Sequence, residues 1–149
     1  MKHALVCVTM LVLASLTDGL LAGEPIPGQH ASGIKVTQLL STSSTVLGAP
    51  IEYPQTSKPK VTALKVEMAP GKQTGWHMHP YPTYGYILSG ELTVQVQGGN
   101  RLHYEAGDAV AEVVGTPHNG INAGDKPVRF VVFFTGKKGQ PYTVPSRER

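Results

Sequence analysis

Val61-Thr62-Ala63-Leu64-Lys65-Val66-Glu67-Met68 opens the part of the chain that decides the fold. Thr62, Leu64, Val66 and Met68 are more apolar than the alternating set Val61, Ala63, Lys65 and Glu67. That two-residue period is the mark of a strand with one buried face. Pro70-Gly71 ends it with a turn. Residues 84–97 read as two strands broken at Ser89-Gly90, and Gly98-Gly99-Asn100 is a hairpin signal. Leu102 and Tyr104 then alternate with Arg101 and His103 before a turn at Ala106-Gly107-Asp108. Residues 109–114 form a further strand ending at Gly115-Thr116-Pro117, and residues 127–135 carry the most apolar run, Val131-Val132-Phe133-Phe134. After residue 24 no segment keeps a 3.6-residue apolar period over three turns. The predicted class is therefore all-β, an antiparallel sandwich or barrel.

Toward the N-terminus the pattern weakens. Residues 51–60 hold two prolines and no period, Ser41 to Thr45 reads as a turn, and residues 34–40 are predicted as a first strand. Residues 24–33, rich in Pro, Gly and polar side chains, read as an arm. The first residues have the pattern of a signal peptide: Lys2, then an apolar run from Ala4 to Leu16, stopped by Asp18. Cleavage is expected near Ala22 or Gly23, with Gly19 as the competing site. The expected organisation is a signal peptide over 1–23, an arm with first strands over 24–60, a barrel over 61–136 and a C-terminal tail over 137–149. Export to the periplasm or the outside follows, with no membrane contact after cleavage.

Composition narrows the chemistry. A chain of 149 residues with 40% hydrophobic residues suits one domain and one core. The formal charge of +3 is slight. Lys137, Lys138, Arg147 and Arg149 read as a solvated tail and not as an organised nucleic-acid face. The one cysteine, Cys7, lies in the leader, so the mature chain is expected to hold no disulfide, thiol nucleophile or thiolate ligand. A metal site must then use histidine and oxygen.

Two short segments supply such ligands. In Trp76-His77-Met78-His79-Pro80 the imidazoles are one residue apart, and on a strand such positions share a face. Both can then point a nitrogen at one ion. His118, behind the turn at Gly115-Thr116-Pro117, is the third candidate.

The framework around these residues resembles the two motifs of the cupin family. The first runs Gly71, five residues, His77-Met78-His79, three residues, Thr83, six residues, Gly90. The second runs Gly107, five residues, Val113-Val114-Gly115, two residues, His118, three residues, Asn122. The resemblance implies a small double-stranded β-helix (a jelly-roll barrel) with one divalent metal held by His77, His79 and His118, and homodimers through edge strands. It has two departures. Val113 stands where the pattern has proline, and Thr83 stands where it has the glutamate that supplies a carboxylate ligand. Three readings of that loss stay open: a true three-His site, recruitment of Glu112, Tyr84 or Tyr86, or a barrel that has lost its metal.

Three neutral imidazoles leave the ion its full charge and favour a bidentate, anionic oxygen ligand, such as an enolate, a hydroxy acid or a diketonate. The resemblance makes an iron(II) dioxygenase acting on a small oxygen-rich anion the first expectation. A zinc, manganese or nickel isomerase or lyase and a non-catalytic small-molecule binding barrel are the alternatives. Glu112 is read as a general base whose pKa burial raises. Tyr84, Tyr86, Trp76 and Asn119 are read as pocket residues, with Tyr81, Pro82 and Tyr84 setting the opening. Asn122 is expected to support the loop of His118, His103 to be exposed, and His30 to have no role.

Overall fold

Nine strands run through residues 33–147, which the computed structural model describes. They are β1 (Pro59–Met68), β2 (His77–Met78), β3 (Thr83–Ser89), β4 (Glu91–Val96), β5 (Arg101–Glu105), β6 (Ala109–Ala111), β7 (His118–Ile121), β8 (Val128–Lys137) and β9 (Val144–Pro145). One sheet has the order β1-β8-β3-β6 and the other β5-β4-β7-β2-β9. Every strand pairing is antiparallel. This is the all-β barrel expected from the alternation. The segment expected to be a leader, with Cys7, and His30 lie outside the described residues.

The alternation sets the faces. In β1, Thr62, Leu64, Val66 and Met68 turn inward, while Val61, Ala63, Lys65 and Glu67 are exposed. β1 pairs with β8 over its whole length, from Pro59↔Lys137 to Met68↔Val128. The break at Ser89-Gly90 falls between β3 and β4. Gly90 has φ +78°, and a Cβ there would come within 2.7 Å of the Pro127 carbonyl oxygen, so the corner admits glycine alone without strain.

One end of the barrel is closed by Met68, Ile87, Leu92 and Val128, with Val94, Tyr104 and Phe130 packed against them. Val128 and Ile87 are 0% and 1% exposed. Burying side chains of this size contributes roughly 1.5–3 kcal/mol each. Asn122 clamps the same end. Its Nδ2 donates to the carbonyls of Met68 (2.9 Å) and Lys126 (2.8 Å), and its Oδ1 accepts from the Gly124 N–H (3.1 Å).

Two expectations are corrected. Residues 34–40 join no strand; Val36, Leu39 and Leu40 are exposed. The β-propensity of that stretch forms no strand without a ladder partner. Conversely, part of the segment expected to be a tail is β9, which pairs with β2 through His77↔Pro145 and Met78↔Val144.

Candidate metal centre

The opposite end of the barrel carries the histidines. β2 and β7 are neighbours, and His77 is the cross-strand partner of His118, which in turn pairs with Val96 on β4. His79 follows β2, and its carbonyl accepts the Gly115 N–H at 2.8 Å, tying the two histidine segments together. The three ring centroids lie 4.4 to 4.9 Å apart. One nitrogen from each ring falls within 4.8 Å of the others. His79 and His118 are 4% and 2% exposed, and His77 is half-buried.

The hydrogen bonds fix which nitrogen faces the centre. Nδ1 of His77 donates to the Gly75 carbonyl (2.8 Å), that of His79 to the Tyr142 carbonyl (2.9 Å) and that of His118 to the Thr116 carbonyl (2.9 Å). The Thr143 hydroxyl lies 3.2 Å from the same His79 nitrogen. With Nδ1 carrying the proton, each neutral ring turns the lone pair of Nε2 inward. His118 Nε2 is buried without a hydrogen-bond partner.

Glu112 stands beside two of the three rings. Its N–H donates to the Thr83 carbonyl at 2.9 Å, so it stands beside Thr83 on the adjacent strand path. Its Oε2 lies 3.4 Å from Nε2 of both His79 and His118. That separation is the one expected of neighbouring ligands roughly 2.1 Å from a shared ion at angles of about 90–110°. A carboxylate facing imidazole lone pairs is repulsive unless a proton or a cation stands between them. The three imine nitrogens fit a divalent metal, and Glu112 stands beside two of them.

Burial alone would raise the Glu112 carboxyl, but the facing rings of His118 and His79 hold it well down, to about 2. The expected general base with a raised pKa is thus corrected in direction, because two imidazoles and not apolar walls face the carboxylate. Burial lowers the His77 pKa, and the neighbouring histidines reinforce it. For His118 burial is outweighed by Glu112 and the Thr116 carbonyl, and the net shift is upward. Burial, with Glu112 and Asp108 nearby, raises the Tyr104 phenol to about 12, which keeps it a neutral hydroxyl.

The centre opens into a cavity of about 370 Å³ between the sheets, lined by the three histidines, Glu112, Trp76 and Tyr104 among others. Trp76 is among the residues that line it. Tyr84, Tyr86 and Asn119 are not among the lining residues. A Cβ at Gly85 would meet Val110 and Glu112 inside the barrel, so its neighbours Tyr84 and Tyr86 point outward. Tyr84 donates to the Tyr53 hydroxyl at 3.2 Å. Asn119 uses its amide to donate to Gln73 Oε1 at 2.8 Å. His103 is exposed, as expected. The sequence reading missed Tyr142 and Thr143, whose segment has no periodic signal and meets His79 over more than sixty residues of chain.

Comparison with known proteins agrees with this architecture. The cupin domain family matches residues 64–134. The chain has the cupin fold. Oxalate oxidase GF-3.8 of Triticum aestivum is 32% identical to it over 102 residues, which cover 63% of this chain and 46% of that protein. The chain thus spans less than half the length of that curated relative. A double-stranded β-helix protein from Klebsiella pneumoniae superposes with a TM-score of 0.51 at 20% identity, covering 65% of this chain and 90% of that one. The oxalate decarboxylase of Lactobacillus farciminis, solved as a formate complex, superposes with a TM-score of 0.50 at 21% identity, covering 64% of this chain and 33% of that one. At these identities the superpositions establish the fold. Fold and histidine cluster together are those of a metal-binding cupin.

Proposed function

We propose that this protein is a mononuclear metalloenzyme in which His77, His79 and His118 hold one divalent ion and Glu112 supplies the carboxylate that Thr83 lacks. The observation that carries the reading is the convergence of imidazole lone pairs, each fixed by an Nδ1–carbonyl bond, with His118 Nε2 buried and unpartnered. Glu112 occupies the strand position beside Thr83, so the carboxylate is moved sideways by one strand and not lost.

The reaction we infer is oxygen-dependent oxidation or cleavage of a small oxygen-rich anion that chelates through two oxygens, with iron(II) as the first choice of metal. When bound, the ion supplies Lewis acidity and, if it is iron or manganese, a redox couple. The chain's own residues do the rest. The carbonyls of Gly75, Thr116 and Tyr142 keep the imidazoles in one tautomer, and Tyr104 offers a neutral hydroxyl inside the cavity. The likeness to an oxalate oxidase supports oxidative chemistry on an anionic oxygen ligand. The leader-like residues 1–23 support export, and the exposed Val61 on edge strand β1 beside the exposed Phe133 supports a homodimer.

Anaerobic reconstitution with iron(II), manganese(II), nickel(II) or zinc(II), followed by oxygen-electrode assays on a diketone, a hydroxy acid and oxalate, tests the reading. Oxygen uptake with a redox metal and none with zinc is the expected result. Turnover with zinc in the absence of oxygen would make the protein an isomerase or lyase. Tight ligand binding without turnover for any metal would make it a binding barrel.

A further inference from the structure

The inference concerns what lies beneath the metal centre, and it rests on the metal reading above. Inward-facing positions in a sandwich ordinarily interdigitate and vanish from solvent. Here Leu64, Val66, Val94, Leu102 and Phe130 face inward yet are only half-buried, because their free surface lines the cavity of about 370 Å³. That volume lies in the lower part of the range of small-molecule sites, about 300–1,000 Å³. The register orders the walls. His118 is level with Val96; two residues along, Gly120 is level with Val94, which pairs with Leu102; two further, Leu92 pairs with Tyr104. On the facing sheet the same progression runs from Phe134 through Val132 to Phe130. From the histidines down to the closed core the chamber is aliphatic and aromatic.

Small residues let the neighbouring side chains of the walls come close. Gly120 and Gly85 each turn an absent side chain toward the interior. A Cβ at Gly120 would meet Thr74 at 3.3 Å and Leu92 at 3.6 Å; one at Gly85 would meet Val110 at 3.0 Å and Glu112 at 3.7 Å. Among the described residues the lining holds no lysine or arginine, and its one carboxylate is Glu112. A small dianion chelated at the histidines would face apolar walls and would leave the apolar surface uncovered.

We propose that this chamber receives an apolar chain or ring carried on a bidentate oxygen head, so that the substrate is an amphipathic chelator and not a dicarboxylate such as oxalate. The head binds at the histidines, and the apolar body extends along Val94, Leu102, Val132 and Phe130.

Calorimetric titration of the zinc-loaded full chain with acetohydroxamate, butyrohydroxamate, hexanohydroxamate and octanohydroxamate tests this, since the chelating head is constant and only the chain grows. The affinity is expected to rise about fourfold per methylene, and so by about 250-fold from the two-carbon to the six-carbon member. Leu102→Trp, which fills the chamber, is expected to flatten the series while zinc is retained. A flat or falling series on the wild-type protein, or oxalate displacing hexanohydroxamate at lower concentration than acetohydroxamate does, overturns the inference. Zinc measured on the same samples separates the two failures. A flat series with one zinc per chain sinks only the apolar chamber; no binding and no zinc sinks the metal centre and this inference with it.

Discussion

Asn122 and His118 lie four residues apart and are 0% and 2% exposed, yet they treat their polar atoms in opposite ways. Asn122 sits at the closed end and gives its amide to three backbone partners. His118, at the open end, bonds through Nδ1 and leaves Nε2 without a partner. Burial of a polar group without a hydrogen bond costs about 1–3 kcal/mol. An unsatisfied atom that faces two further imidazoles and a carboxylate marks a place prepared for something else. The contrast teaches that burial does not mark function in this barrel; the unspent lone pair does.

The sharpest way to break this contrast is to exchange the consequences. His118→Ala is expected to weaken metal binding by more than about a hundredfold, since loss of merely an outer-shell partner typically costs 10–100-fold. Chelator competition measures it. Asn122→Ala is expected to do the reverse, lowering stability by about 2–4 kcal/mol by stripping two carbonyls and an N–H of their partner, with metal content in the folded fraction unchanged. Denaturant melts of both variants decide whether the two ends are as separate as the contacts indicate.

The carboxylate sharpens the comparison further. Glu112→Gln keeps the shape but removes the charge facing His79 and His118, and metal affinity is expected to fall by about 10–100-fold, a loss of the size seen when supporting groups are removed. Unchanged affinity would return the site to three histidines alone. Shortening the chain after Gln140 removes the Tyr142 carbonyl and Thr143 hydroxyl from His79 Nδ1 and also removes β9. A loss of metal affinity of about tenfold is expected, with retention of the fold checked by circular dichroism. His103→Ala is the smallest expected effect: its exposed ring meets Thr93 on the outer face, and metal content is expected to stay as in the wild type.

The histidines were legible because their signal is local. A one-residue spacing, a glycine-proline turn before His118 and glycine landmarks around them all lie within short stretches. The strands were legible for the same reason, since Leu64, Val66 and Met68 show their period within one segment. Tyr84 and Tyr86 were misplaced by the same logic. In Thr83-Tyr84-Gly85-Tyr86-Ile87 the bulkier alternating set suggests the inner face, but the structure turns Thr83, Gly85 and Ile87 inward. The interior here is a chamber, and small residues let the side chains of its walls come close. Glu112 was legible as one of three candidates to replace the carboxylate, but not the rings it faces, because His79 and His118 come from other segments. The contact of Tyr142 with His79 leaves no trace in sequence periodicity, being a backbone carbonyl that any residue supplies.

The central claim is that the inward lone pairs of His77, His79 and His118 hold a divalent ion. Elemental mass spectrometry of the untagged protein, beside a His77→Ala/His118→Ala variant shown to be folded, tests it most directly. The account predicts close to one metal ion per chain in the wild type and almost none in the variant. Equal metal in the two proteins, or none in the wild type after anaerobic reconstitution with iron, manganese, nickel and zinc, would contradict it.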